Sequence, residues 1–264
     1  MSTATGERYL EQVHAVVTGG SRGIGAAIAE ALLRRGASVT IMARDVAALD
    51  ARVMALRHSG ATVAGVECDV ANEQSVDDAF ARAVDVLGAP GILVNGAGVA
   101  ESAPFGQTTR ASWHRTIGVN LTGTFLCTAA VMPAMLGAGW GRVVNIASTA
   151  GLRGYKTMTA YSASKHGVVG FTRALALETA RHGVTVNAVC PGYTDTDMSD
   201  RAIANLVASL GKSPDEARAM LLKSIPRGQL TTPAEVAGAV AWLCSPAAAA
   251  VTGIAMPVAG GEIG

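Results

Sequence analysis

The sequence predicts an α/β fold: one domain over residues 1–264, built as a doubly wound parallel sheet of about seven strands with helices on both faces. Three observations carry that expectation. Short apolar runs alternate along the chain with segments of helical periodicity, the pattern of a parallel sheet wound on both sides. Half of the 264 residues are apolar, only 4% are aromatic and 31 are glycine, which suits small-residue helices packed closely on a buried sheet. A glycine-rich turn, TGGSRGIG from Thr18 to Gly25, separates the first apolar run from the first helical segment.

Composition excludes several function classes. The formal net charge is +1, with no basic patch for nucleic acid and no acidic tail. No unbroken apolar run reaches membrane-spanning length, and the N-terminus is too polar for a signal peptide, so no membrane partner is expected. Cys68, Cys127, Cys190 and Cys244 are scattered and join no histidine grouping. That predicts reduced thiols, a cytoplasmic location and no metal site.

Val13 to Thr18 reads as the first strand, followed by the glycine turn, a helix, and a second strand in ASVTIMAR. This is a βαβ unit of the Rossmann type. Gly19, Gly23 and Gly25 allow a tight turn, close approach to a pyrophosphate and close helix–strand packing. Their Gly-x3-Gly-x-Gly spacing departs from the commonest dinucleotide fingerprint, and a turn that merely needs glycine is the alternative. The second strand ends at Ala43–Arg44, where an acidic residue would serve the adenosine ribose; here Arg44 and Arg22 offer two guanidiniums suited to a 2′-phosphate. NADP(H) is therefore expected ahead of NAD(H). Asp45 reads as a helix N-cap.

Ala61 to Glu67 is the third strand. Asp69 after it is placed to accept from an adenine amino group, to cap the helix beyond Ala71, or both. GILVNGAG is a fourth strand that runs into small residues from Asn95 to Gly98, as backbone lying against a cofactor requires. Glu101 to Thr109 forms a pocket-bordering loop. A long helix spans Ser112 to Leu136, with Asn120 as a buried amide that plugs a kink or serves a proton path. His114 and His166 are read as ordinary surface and packing residues.

Ser148 closes a fifth strand, GRVVNIAS. Tyr161 and Lys165 stand four apart on the next helix, which stacks them on one face. A free phenol titrates near ~10, and an adjacent ammonium is expected to lower that value towards the range an acid/base group needs. GVTVNAVC is the sixth strand, stopped by Pro191 and Gly192. Thr194 and Thr196 then offer hydroxyls to a carboxamide or a phosphate. The stretch at about 194–226 reads as a helical lid insertion. Thr232, Pro233 and Glu235 spell a capping box, and TGIAMPVA is the last strand.

Taken together, TGGSRGIG, CDV, NGAG, VNLTG, Ser148, Tyr161-x3-Lys165, PGYTDT and the closing Gly-Gly resemble the short-chain dehydrogenase/reductase family across essentially the whole chain. The resemblance implies an NADP(H)-dependent oxidoreductase exchanging hydride between nicotinamide and a carbonyl or secondary alcohol. It makes Asn120, Ser148, Tyr161 and Lys165 a catalytic tetrad: Tyr161 carries the proton, Ser148 holds the substrate oxygen, Lys165 binds ribose hydroxyls and lowers the phenol pKa, and Asn120 holds a water leading to solvent. Cofactor contacts carry over onto Gly19, Ser21, Arg22, Gly23, Ile24, Gly25, Arg44, Asp69, Val70, Asn95, Ala97, Gly98, Tyr161, Lys165, Pro191, Gly192, Thr194 and Thr196. Gly96 stands where the family pattern has a second asparagine, a change expected to matter little. Relatives of this kind are mostly homotetramers.

The region from Ser148 to Gly192 is most similar to ketoreductases of 3-oxoacyl thioesters, including those of aromatic polyketide pathways. Members served by acyl carrier protein tend to carry a basic cluster in the turn before the fifth strand. Here that turn is Gly137 to Trp140, with only Arg142 behind it, so a CoA-type thioester, a free 3-oxo compound or a cyclic ketone is expected ahead of a carrier-bound substrate. Oxidation of a small secondary alcohol or 3-hydroxy acid is the alternative, and a non-catalytic NADP-binding regulator a remote one. Glu101, Phe105, Thr149, Arg153, Tyr155, Tyr193 and Met198 are the substrate-pocket candidates.

Overall fold

Seven strands make one parallel sheet in the order β3-β2-β1-β4-β5-β6-β7. The structure is a computed structural model describing residues 8–263; the polar N-terminal stretch 1–7 and Gly264 lie outside the described residues. The strands are β1 (His14–Thr18), β2 (Ser38–Ala43), β3 (Val63–Glu67), β4 (Ile92–Asn95), β5 (Gly141–Ile146), β6 (Val184–Pro191) and β7 (Ala255–Val258). Every residue of β1, β4, β5 and β6 is buried, as near-continuous Val/Ile/Leu/Ala runs demand of strands covered on both faces.

The helices divide between the two faces. On one side α1 (Gly23–Arg34), α2 (Val46–His58) and α9 (Pro233–Leu243) bury Ile28, Leu32, Leu49, Val53, Val240 and Leu243 against the sheet. On the other, α3 (Glu73–Leu87), α5 (Gly123–Ala138) and α6 (Thr159–Thr179) contribute Val76, Phe80, Cys127, Val131, Met135 and Ala176. Strand order reverses between β1, whose next strand in sequence is β2 on one side, and β4 on the other. The crevice at their carboxyl ends is therefore the expected ligand position of such a sheet.

Asp45 caps α2 as expected, its carboxylate accepting from Ala48 N at 3.1 Å. Asp69 does not cap α3. Asn72 does, accepting from Ser75 N at 2.8 Å, while Asp69 Oδ1 takes the Ala71 N–H at 3.1 Å in a local turn. The long helix expected over Ser112–Leu136 is two: α4 (Arg110–Ile117) and α5, joined by a π-turn at Gly118–Thr122. Among the described residues the joined run Arg110–Ala138 is long and apolar enough to cross a membrane by length and composition, a stretch that the expectation from unbroken apolar runs did not single out. Its Asn120, Thr124 and Thr128 are buried against the protein. After β6 come α7 (Asp197–Leu210) and α8 (Pro214–Lys223). Gly211 ends the first in the left-handed conformation, and Ser213 opens the second with a capping box to Glu216.

Candidate active site

The loop after β5 carries the first functional hydroxyl. Ser148 lies two residues beyond the strand rather than closing it, and its Oγ accepts from Ala150 N at 3.1 Å to cap a single 3-10 turn at Thr149–Gly151. That turn presses on α6: a Cβ at Gly151 would stand 2.7 Å from the carbonyl oxygen of Lys165. The close approach sets Ser148 against the half-buried Tyr161, whose phenol it hydrogen-bonds. One turn along α6, Lys165 is 5% exposed, and its Nζ donates to Ile146 O at 2.7 Å.

Electrostatics at the pair run against the expectation drawn from sequence. Burial pushes the Tyr161 phenol above its ordinary value of 10; the bond to Ser148 pulls it back, and the charges of Cys190 and Tyr193 push it further up. Lys165 does not offset this. Its Nζ is committed to Ile146 O and lies 5.8 Å from the Tyr161 ring centroid. Burial also holds Lys165 itself at about 8, so the ammonium is a weakened cation rather than a strong one. The phenol is therefore kept protonated at neutral pH.

Asn120 sits in the π-turn, 1% exposed. Its Oδ1 accepts from Val99 N at 2.8 Å, and its Nδ2 donates to Val99 O at 2.9 Å and to Ser164 Oγ at 3.0 Å. One side chain thus ties the loop after β4 to the helix bearing Tyr161 and Lys165. Thr124 Oγ1 donates to the Asn120 carbonyl at 2.8 Å, serving a backbone acceptor within the wider turn.

At the other end of the crevice the glycine turn packs on the loop after β4. A Cβ at Gly19 would lie 2.8 Å from Ala97 Cα, and one at Gly25 only 2.2 Å from Gly19 O. Thr18 Oγ1 accepts from both Gly96 N and Ala97 N. Gly96 is consequently not an indifferent replacement in this chain, since a Cβ there would stand 2.7 Å from Thr18 O. Ser21, Gly23 and Ile24 are half-buried along the turn. Arg22 and Arg44 are both exposed at its outer edge, and Arg22 Nη1 is 3.9 Å from Asp197 Oδ2. Thr196 closes over the turn, its Cγ2 3.5 Å from where a Gly23 Cβ would be.

These residues fit a nicotinamide dinucleotide. Glycine at position 98 leaves open the side of Lys165 that a Cβ would approach to 3.7 Å, the backbone of the glycine turn is bare, and Arg22 and Arg44 are exposed, one within the turn and one directly after β2. Val70 and Pro191 are buried beside the crevice, with Asp69 and Gly192 half-buried. Asn95 contributes differently from expectation. Its amide is buried and bonded to Thr128 Oγ1 and Asn145 Oδ1, so any contact with a ligand is through its backbone. Thr194 is likewise buried, its hydroxyl donating to Gly192 O at 3.0 Å.

The pocket candidates separate into two groups. Thr149, Arg153 and Tyr155 share one hydrogen-bonded cluster that abuts Tyr193. Glu101 instead pairs with Arg115; Phe105 and Met198 are exposed on neighbouring loops. Sequence reading missed Thr18 and Ser164, which are supports, and Glu262, which the cluster is built around. The signal for Glu262 was available: it is an acidic residue in an otherwise small, uncharged C-terminal run, GGEIG.

Comparison with known proteins accords with this geometry. The short chain dehydrogenase family profile matches residues 13–206. A cis-4-hydroxycyclohexanecarboxylate dehydrogenase of Sinomonas cyclohexanicum is 42% identical over 97% of this chain and 98% of its own. A 3-oxoacyl-[acyl-carrier-protein] reductase of Synechocystis is 39% identical, over 94% and 96%. An actinorhodin polyketide ketoreductase variant crystallised with NADPH superposes with a TM-score of 0.92, at 40% identity and 99% coverage of both chains. The chain belongs to the short chain dehydrogenase family.

Proposed function

We propose that this chain is an NADP(H)-dependent ketone reductase in which Tyr161 hands a proton to the substrate oxygen. The observation that carries the reading is the meeting of Ser148, Tyr161 and Lys165 in one buried corner beside the glycine turn. Bound NADPH supplies the hydride. The chain's own residues manage the oxygen: Ser148 Oγ holds it, and the phenol of Tyr161, kept protonated by burial, delivers the proton. Lys165 holds the ribose hydroxyls. Asn120 Oδ1 retains a lone pair for a water on the open side of Gly98, between itself and Lys165 Nζ. Arg22 and Arg44 grip the 2′-phosphate, the glycine turn the pyrophosphate, and Asp69 and Val70 the adenine.

The substrate we favour is a 3-oxoacyl thioester of the CoA type, or a related free or cyclic ketone. Arg142 supports setting it ahead of a carrier-bound acyl group. It is 5% exposed, donates to Gly141 O and Gly183 O, and lies 4.8 Å over the Trp140 ring, so it offers no cation to an acidic carrier helix. Rates of NADPH oxidation with acetoacetyl-CoA and with its carrier-bound equivalent test this; a strong carrier preference reverses the ranking. Dehydrogenation of a cyclic secondary alcohol is the second reading, favoured by the Sinomonas relative. Tighter binding of NAD than of NADP would support it. Residues 194–226 act as a lid in this proposal, since Thr196 and Asp197 already face the glycine turn.

We also infer a cytoplasmic homotetramer. Phe125 and Leu177 are exposed on α5 and α6, and Phe125 meets Phe171 edge-on at 6.5 Å, apolar surface suited to pairing these helices. Light scattering on the eluted protein should give four chains, and a monomer would refute the assembly.

A further inference from the structure

Glu262 is the most unusual charged group outside the proton-transfer corner. Its side chain is 1% exposed, near the very end of the chain. One oxygen, Oε1, accepts from Arg153 Nη2 at 3.0 Å and from the Tyr155 hydroxyl. The other, Oε2, is buried without a hydrogen-bond partner, close enough to Gly192 that a Cβ there would stand 2.5 Å from it. Tyr155 Oη also bonds Thr149 Oγ1 at 2.8 Å, and the Arg153 guanidinium lies 4.7 Å over the Tyr155 ring. Thr149 adjoins Ser148 in sequence, and the charges of both Glu262 and Arg153 are felt at Tyr193. On the ketone-reductase reading this cluster, joined through Thr149 to the residue beside Ser148, is one wall of the substrate corner.

An arginine that is 45% exposed at that wall is a ready anchor for a substrate carboxylate. Glu262 occupies it from behind. A buried anion with one oxygen unsatisfied also repels any second carboxylate brought alongside, in a setting where water screens little. Removing it would leave the guanidinium with a free fork and no competing charge.

We propose that Glu262 is a specificity-determining residue that neutralises Arg153 and so selects uncharged acyl substrates over free 3-oxo carboxylates. The inference rests on the ketone-reductase reading above and names what that site rejects. It acts through Arg153, with no contact to the reacting atoms required of Glu262 itself.

The test compares acetoacetate with its methyl ester, a pair differing by one charge, using NADPH and the full chain. The native protein should favour the ester by more than about tenfold in kcat/KM. Glu262→Gln, nearly isosteric, should raise kcat/KM for acetoacetate by about tenfold, mostly through KM, and leave the ester within about threefold. Adding Arg153→Leu should remove the gain. Arg153→Gln alone should widen the ester preference, which reads the same charge balance should Glu262→Gln fold poorly. An unchanged acetoacetate-to-ester ratio in both single variants overturns the inference. Should neither compound turn over in the native protein, the inference is decided by calorimetry, and the reductase reading falls only if acetoacetyl-CoA is not reduced either. Acetoacetate binding gained in Glu262→Gln but not in Arg153→Gln supports it, and no gain in Glu262→Gln, or an equal gain in both, overturns it.

Discussion

At the scale of single residues, Tyr161 and Lys165 are set in opposition by the same cause. Burial favours the uncharged form of each, so it raises the phenol and lowers the ammonium to about 8. A protonated phenol suits reduction, where it donates, and is the wrong form for oxidation. Reduction should therefore stay flat from neutral pH through about 8, because the phenol keeps its proton there, while oxidation, which needs the phenolate, stays slow over that span and rises only above the ordinary phenol value of 10. Initial-rate profiles in both directions check this. Tyr161→Phe should reduce turnover by about 1,000-fold or more, with NADPH binding within about threefold of native. Lys165 also makes a stability prediction. Its folded pKa lies below the ordinary lysine value of 10.5, so the folded protein binds fewer protons than the unfolded chain between about 8 and 10.5, and stability rises with pH across that window. Below it the full penalty applies, roughly 3 kcal/mol. Lys165→Met removes that penalty but strands the Ile146 carbonyl at a cost of roughly 2 kcal/mol. Denaturant unfolding should then show a small gain for the variant at neutral pH that becomes a loss near pH 10.5.

At the scale of elements, the pieces legible in advance are those whose signal is local. The α9 capping box is an example. Thr232 Oγ1 accepts from Glu235 N at 3.2 Å, and Glu235 Oε2 accepts from Thr232 N at 2.7 Å, with Pro233 at the first helical position. Arg227 pairs with the same carboxylate and, with those N–H bonds, holds Glu235 at about 2. Thr232→Ala should cost about 1 kcal/mol, read as a shift in the denaturant midpoint with an unchanged m-value. Because Glu235 is depressed below 4.5, its contribution is present above that value and fades as pH falls towards 2 in native and variant alike, so the cost of losing the Thr232 hydroxyl should change little on acidification. The π-turn at Gly118–Thr122 was legible only as one of two readings of Asn120, the plug of a helix kink. It depends on Asn120 reaching Val99 in a distant loop and Ser164 on another helix, and no periodicity within 110–138 encodes those partners. The cap of α3 shows the same limit on a smaller scale: Asp69 and Asn72 are both good capping residues, and the choice between them follows from where β3 ends.

At the scale of the molecule, alternation of strands and helices was enough to foresee the parallel sheet, because buried parallel strands must read as short apolar runs. Glu262 stood out in the sequence as the acidic residue of its C-terminal run, but its pairing with Arg153 was not foreseeable, since it joins residues 109 positions apart, beyond the carboxyl ends of β7 and β5. The crevice that this topology opens between β1 and β4 links cofactor choice to the stability of the whole fold. A ligand that binds only the folded chain, supplied at 100 times its Kd, adds about 2.7 kcal/mol, equivalent to roughly 5–10 °C in Tm for a chain of this size. NADPH should give that shift. Arg44, exposed immediately beyond β2, is free to meet a 2′-phosphate but has no phosphate to grip on NADH. Arg44→Asp removes a charge-assisted bond worth roughly 1.5–3 kcal/mol and puts an anion in its place, so the NADPH Kd should rise by about tenfold to a hundredfold. At the original NADPH concentration roughly half to five-sixths of the Tm shift should then be lost. The same substitution supplies the acidic residue that a ribose hydroxyl prefers, so the NADH shift should hold or grow. Equal losses for both cofactors would place Arg44 outside the phosphate site and leave Arg22 to carry the preference alone.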